Sequence, residues 1–252
     1  MVIRLTAPHT AAEDVLRDGD LVYAVITMES VHAASQGGAF AFVLKDSSVA
    51  AIGLRACGAD IEPVRQALAS DVQHIYSTYG AFAAVKTNGS VVTWGALDCG
   101  GSSWDVRDEL TSGVQHIYST SMAFAAVKED SSVVTWGRPS FGGNSEEVKE
   151  ALMGDVRHIY SNSSAFAAVK TTGSVVTWGA ADEGGNSEHV AEALTSGVQH
   201  IYSTHKAFAA VKANGSVVTW GTTSPPRMAR KVADLKPEVA TVASKTLKNQ
   251  PF

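Results

Sequence analysis

The sequence predicts an all-β repeat protein: a β-propeller of about six short blades, three strands to each 42-residue unit, with short helical connectors between blades. Three observations carry that expectation. Phe40, Phe82, Phe124, Phe166 and Phe208 stand 42 residues apart, and Trp94, Trp136, Trp178 and Trp220 keep the same step, with Ile52 in the equivalent place of the first unit. Each period contains three short β-branched and aromatic runs separated by turn residues, the pattern of strands rather than helices. A three-stranded sheet of this length cannot cover its own apolar face, so each copy needs a neighbour.

Five units follow without gaps: 30–71, 72–113, 114–155, 156–197 and 198–239. Within the third, Val114–Ser119 reads as a first strand and Ala123–Lys128 as a second. Asn88-Gly89 and Asn214-Gly215 are expected to form type I′ hairpins with two positive φ angles, and Asp46-Ser47 and Asp130-Ser131 are weaker versions. The third strand is Ser90–Gly95 and its copies. A Gly-Gly loop follows (Gly100-Gly101, Gly142-Gly143, Gly184-Gly185).

The unit closes on a helical pattern. Asn144–Gly154 places Val148, Ala151 and Leu152 on one face behind an Asn144 or Ser145 cap, and Ser102–Leu110 and Ser187–Leu194 repeat it. Such helices of about two turns are unstable alone and must dock on the sheets. Residues 1–29 and 240–252 flank the units and together suit one further blade: Val239–Thr246 resembles the first strand, Ala11–Arg17 is helix-like and Leu21–Thr27 strand-like.

Composition narrows the function. The 252 residues are 45% hydrophobic and 18% charged, with a formal net charge of −5, which argues against a basic nucleic-acid binder. No apolar run approaches the ~18–20 residues of a membrane span, and the N-terminus lacks the apolar core of a secretory signal. An intracellular protein is expected, in the cytoplasm rather than the nucleus. From Arg227 onward six Lys and Arg face Asp234 and Glu238, a basic end that reads as a solvated helix. Cys57 and Cys99 occupy equivalent positions and read as two free thiols.

One His recurs per unit (His32, His74, His116, His158, His200), and Tyr76, Tyr118, Tyr160 and Tyr202 lie two residues later on the same strand face. No carboxylate or Cys recurs beside them at ligand spacing, so they read as hydrogen-bonding and packing groups, not as a metal or cofactor site. The Gly-Gly loops lack the Gly-Lys-Ser/Thr ending of a phosphate loop and are followed by acidic residues. No nucleophile elbow, metalloprotease helix or paired carboxylates stand at a sensible place, so no enzyme activity is expected. What breaks the repeat is the connectors: Ala96-Leu97-Asp98-Cys99, Arg138-Pro139-Ser140-Phe141 and Ala180-Ala181-Asp182-Glu183. A constant framework with differing loops is how a binding face is made. Asp98, Trp104, Arg138, Phe141, Asp182 and Glu183 are therefore the candidate protein-binding residues, for a protein partner of unknown identity.

The pattern Val-x-x-Ile-x-Ser-x-x-x-Ala-Phe-Ala-Ala-Val-Lys-x-x-Gly-Ser-Val-Val-Thr-Trp-Gly resembles the repeat of the RCC1 (regulator of chromosome condensation) superfamily, over about 210 residues. Asn214-Gly215-Ser216-Val217-Val218-Thr219-Trp220-Gly221 is its most specific stretch. Gly184-Gly185-Asn186-Ser187-Glu188-His189-Val190 resembles the segment joining blades in the compact, β-lactamase-inhibitor type. Ala81-Phe82 and its copies depart from the family, which has a His before the second strand. The resemblance implies a propeller, most often of seven blades, that acts through protein surfaces: an interaction scaffold or inhibitor or, as the alternative, a nucleotide-exchange factor for a small GTPase.

Overall fold

A computed structural model describes residues 28–34 and 38–222. They form five antiparallel three-stranded sheets in chain order. Blade 1 contains β1 (Met28–Ala33), β2 (Ala39–Leu44) and β3 (Val49–Gly53); blade 2 contains β4 (Val72–Ser77), β5 (Ala81–Lys86) and β6 (Val91–Gly95). Blade 3 contains β7 (Val114–Ser119), β8 (Ala123–Lys128) and β9 (Val133–Gly137). Blade 4 contains β10 (Val156–Ser161), β11 (Ala165–Lys170) and β12 (Val175–Gly179), and blade 5 contains β13 (Val198–Ser203), β14 (Ala207–Lys212) and β15 (Val217–Gly221). The expected six blades are corrected to five among the described residues. Ala11–Arg17, Leu21–Thr27 and Val239–Thr246 lie outside them, and Met28 and Glu29 lengthen β1 rather than belonging to a separate blade.

The register repeats with the sequence. Phe82 pairs with Trp94, Phe124 with Trp136, Phe166 with Trp178 and Phe208 with Trp220. Each first strand is bulged after its opening residue, a Val in blades 2 to 5 as between Val114 and His116, and Met28 in blade 1. The hairpins differ from the expected type. Gly89 and Gly215 take positive φ (74° and 81°), as Ser47 and Ser131 do at the same place, but Asn88 and Asn214 do not. The Asn88 carboxamide oxygen accepts the Ser90 N–H at 2.9 Å, an Asx turn that holds Asn88 right-handed and leaves one left-handed residue per hairpin.

The helical connectors are also corrected. They are short 3-10 turns, Trp104–Val106, Glu146–Val148 and Glu150–Leu152 among them, and the longest is Glu188–Leu194. Each stretch buries little more than one Leu, too little apolar stripe to hold an α-helix of two turns, so the chain takes the tighter hydrogen bonding that short segments tolerate. That Leu is nevertheless a fixed point: Leu68, Leu110, Leu152 and Leu194 are each buried between two blades. At the same connector ends, Lys86, Lys128, Lys170 and Lys212 donate Nζ–H bonds to the carbonyls of Ala67, Glu109, Ala151 and Ala193.

The core is four copies of one interface. Strand alternation gives the middle strand two faces: Phe124 and Ala126 of β8 pack back toward blade 2, while Ala123 and Ala125 pack forward onto blade 4. Every interface therefore sets a Phe-Trp face against an alanine face. The aromatic pair stacks at 5.1–5.3 Å between centroids. The Trp136 indole N–H donates to the Gly100 carbonyl of the preceding connector at 3.1 Å, and Trp94, Trp178 and Trp220 do the same to Gly58, Gly142 and Gly184. Gly100 sits at φ 93°, and a Cβ there would lie 2.7 Å from the Phe124 ring. In blade 1 Ile52 takes the Trp position, opposite Phe40.

Truncating Phe124 to Ala is expected to cost about 3–5 kcal/mol in urea unfolding. Trp136→Phe keeps most of the packing but strands the Gly100 carbonyl, at about 1–3 kcal/mol. Gly100→Ala is expected to destabilise despite adding only a methyl, because both the φ and the Phe124 ring oppose it.

Candidate protein-binding rim

The first strands β4, β7, β10 and β13 of consecutive blades touch, so the sheets fan out from a shared hub. Along the hub the Tyr76 hydroxyl meets His116 Nδ1 at 3.1 Å, Tyr118 meets His158 at 3.0 Å and Tyr160 meets His200 at 2.9 Å. Each ring packs edge-on against its partner at 5.0–5.1 Å. The recurrent His and Tyr thus form a ladder tying blade 2 to blade 3, blade 3 to blade 4 and blade 4 to blade 5. Burial lowers the pKa of His116, His158 and His200, with neighbouring imidazoles adding to the effect at His116 and His158. Burial also raises the phenols of Tyr76, Tyr118 and Tyr160. No group of three or more His, Cys, Asp or Glu arranged to hold a metal ion occurs among the described residues. Cys57 and Cys99 are free thiols.

The connectors form the outer rim, and the structure divides the six candidate residues. Asp98, Trp104, Arg138 and Asp182 are exposed. Trp104 is 69% exposed, with the Arg107 guanidinium 4.2 Å above its ring. Phe141 is half-buried against the blade 3–blade 4 core, and its carbonyl accepts the Thr120 hydroxyl at 2.9 Å. Glu183 is paired with Lys206 at 2.8 Å, which holds its carboxyl below the usual range, and its carbonyl accepts the Asn162 amide. Phe141 and Glu183 thus join a connector to its blades, whereas the other four face solvent.

The exposed residues border repeated grooves. One, of about 470 Å³, runs along β9 between two connectors and is lined by Leu97, Trp104, Val106, Pro139 and Lys149. The next, of about 660 Å³, runs along β12 and is lined by Pro139, Glu147, Ala181 and Glu188. The rim is acidic: the connector 180–197 carries Asp182, Glu183, Glu188 and Glu192 and no Lys or Arg. Arg107 was absent from the sequence candidates, although its i+3 spacing from Trp104 was the signal that joins them.

No family model and no curated protein matches the chain. It is similar to solved structures. Yeast RCC1 (Prp20) bound to Kap60 aligns with TM-score 0.47 and 15% identity over 73% of this chain and 54% of that one. Prp20p from Saccharomyces cerevisiae aligns with 0.46 and 15% over 73% and 55%, and human WBSCR16 with 0.39 and 17% over 63% and 49%. The chain spans about half the length of these proteins. The five three-stranded sheets follow the 42-residue period of the sequence, one sheet to each unit. Among the described residues, no helix is long and apolar enough to cross a membrane.

The ladder sets a pH dependence. In the unfolded chain His116, His158 and His200 bind a proton near pH 6.5, whereas in the folded chain these three bind it only at lower pH. Stability is therefore complete above about pH 6.5 and falls as pH drops through the lowered folded values. Urea midpoints are expected to decline from pH 7.5 to 5.5, a window in which carboxylates stay ionised. Replacing His116, His158 and His200 together with Gln is expected to flatten that decline.

Proposed function

We propose that this chain is a non-catalytic protein-interaction module of the propeller type, a scaffold or inhibitor-like binder whose connector rim holds a protein partner. The observation that carries this reading is the division of labour within the repeat. Framework residues are nearly invariant from blade to blade, while the residues that differ, Asp98, Trp104, Arg138 and Asp182, stand on the rim in solvent. An exposed Trp stacked under a guanidinium is the kind of group that dominates binding energy at interfaces. The grooves beside it offer concave contact surface. The acidic connectors favour a partner with a basic face, steered by charge and sensitive to salt.

The test is capture of partners from extract by the intact protein and by a Trp104→Ala/Arg138→Ala double variant. The variant is expected to lose about tenfold or more in affinity for the retained protein, the effect of removing interface anchors, while its urea midpoint stays within experimental error because both side chains are exposed. An identical set of retained proteins for both forms contradicts the rim assignment.

A further inference from the structure

The last blade ends on a face that every earlier blade buries. Tyr76 and Val91 of blade 2, Tyr118 and Val133 of blade 3, and Tyr160 and Val175 of blade 4 pack into the interface with the following blade. Their copies in blade 5, Tyr202 and Val217, are 45% and 39% exposed. The Tyr202 hydroxyl has no partner among the described residues, whereas Tyr76, Tyr118 and Tyr160 each meet a His of the next blade. Ala209 and Val211, both half-buried, complete the open face, in the places of Ala167 and Val169, which are buried against blade 5.

The internal interfaces show what covers such a face. It is always the segment that follows in the chain, a Leu, then Val four residues on, then Ile three further, then Ser two further. Leu68, Val72, Ile75 and Ser77 set the pattern; Leu110, Val114, Ile117 and Ser119, then Leu152, Val156, Ile159 and Ser161, and Leu194, Val198, Ile201 and Ser203 repeat it. In all four the Leu, Val and Ile are buried. Beyond blade 5 the sequence presents Leu235, Val239, Val242 and Ser244 with the same three spacings. Leu235 follows Gly221 by one residue fewer than Leu194 follows Gly179.

We propose that the open face of blade 5 is the docking site of the chain's own segment 235–244. Its Leu235, Val239, Val242 and Ser244 stand in the sequence at the spacings of the residues that cover each earlier face. This inference is independent of the rim's binding role. It fixes where the chain continues and removes Tyr202 and Val217 from the surface open to partners.

Hydrogen exchange read by mass spectrometry on the intact chain tests it. Amides of 239–244 are expected to exchange at least about 100-fold more slowly than an unstructured peptide, as ordered strands do. Val242→Asp is expected to abolish that protection and loosen β13 while leaving β7 to β11 unchanged. Unprotected 239–244 in the intact chain overturns the proposal, as does protection that survives Val242→Asp. Protection of β13 that grows with protein concentration, alongside a dimer mass in sedimentation, overturns it in favour of a second copy on that face.

Discussion

The contact of a Phe-Trp pair with the alanine face of the preceding blade is the interaction on which the rest depends. It appears four times with nearly the same geometry, and each time three separate constraints meet in it. The aromatic rings supply most of the buried area. The alanines keep the opposing face flat enough to receive them. The indole N–H is satisfied by a connector carbonyl, whose glycine has no Cβ to collide with the Phe. Enlarging an alanine, removing the aromatic or adding a methyl to the glycine each breaks the same fit, which explains why these positions vary least between units.

The repeat and its strands were legible because period-two patterning and the 42-residue step leave little freedom: Val114–Ser119 and Ala123–Lys128 are strands with those limits. The hairpin type was misread because Asn-Gly satisfies two turn geometries, and the Asn88 side chain, bonding Ser90, selects the one with a single left-handed residue. The connectors were misread as helices because Val148, Ala151 and Leu152 have helical spacing whether or not the segment is long enough to sustain it. The buried Leu that mattered was visible; the fraction of the turn that would be α-helical was not. The ladder from Tyr118 to His158 spans 40 residues, so strand-face arguments placed both groups but not their partnership. The recurrent Lys at the end of each second strand had a similar fate, since its carbonyl partner lies 19 residues upstream.

The candidate rim was partly legible for the opposite reason. A binding surface reveals itself as departure from the repeat, and the connectors depart. Departure alone could not separate Trp104, which stands in solvent, from Phe141 and Glu183, which depart from the repeat while joining connector to blade. Burial and an ion pair with Lys206, across from the neighbouring blade, are three-dimensional facts without a local sequence signal. The division leaves an acidic rim with a stacked Trp104–Arg107 pair beside a groove, supported by a hub in which Tyr76, Tyr118 and Tyr160 each pair with a His of the next blade.

The central claim is that one unit has no stable fold and that the interfaces create it. The most direct measurement is circular dichroism with urea titration on the isolated unit 114–155, which retains all three strands, Phe124 and Trp136 but neither neighbouring blade. The account predicts a coil spectrum and no cooperative transition, because Phe124 and Trp136 then have no alanine face to cover them. A cooperative transition with β signal from that unit alone would contradict it.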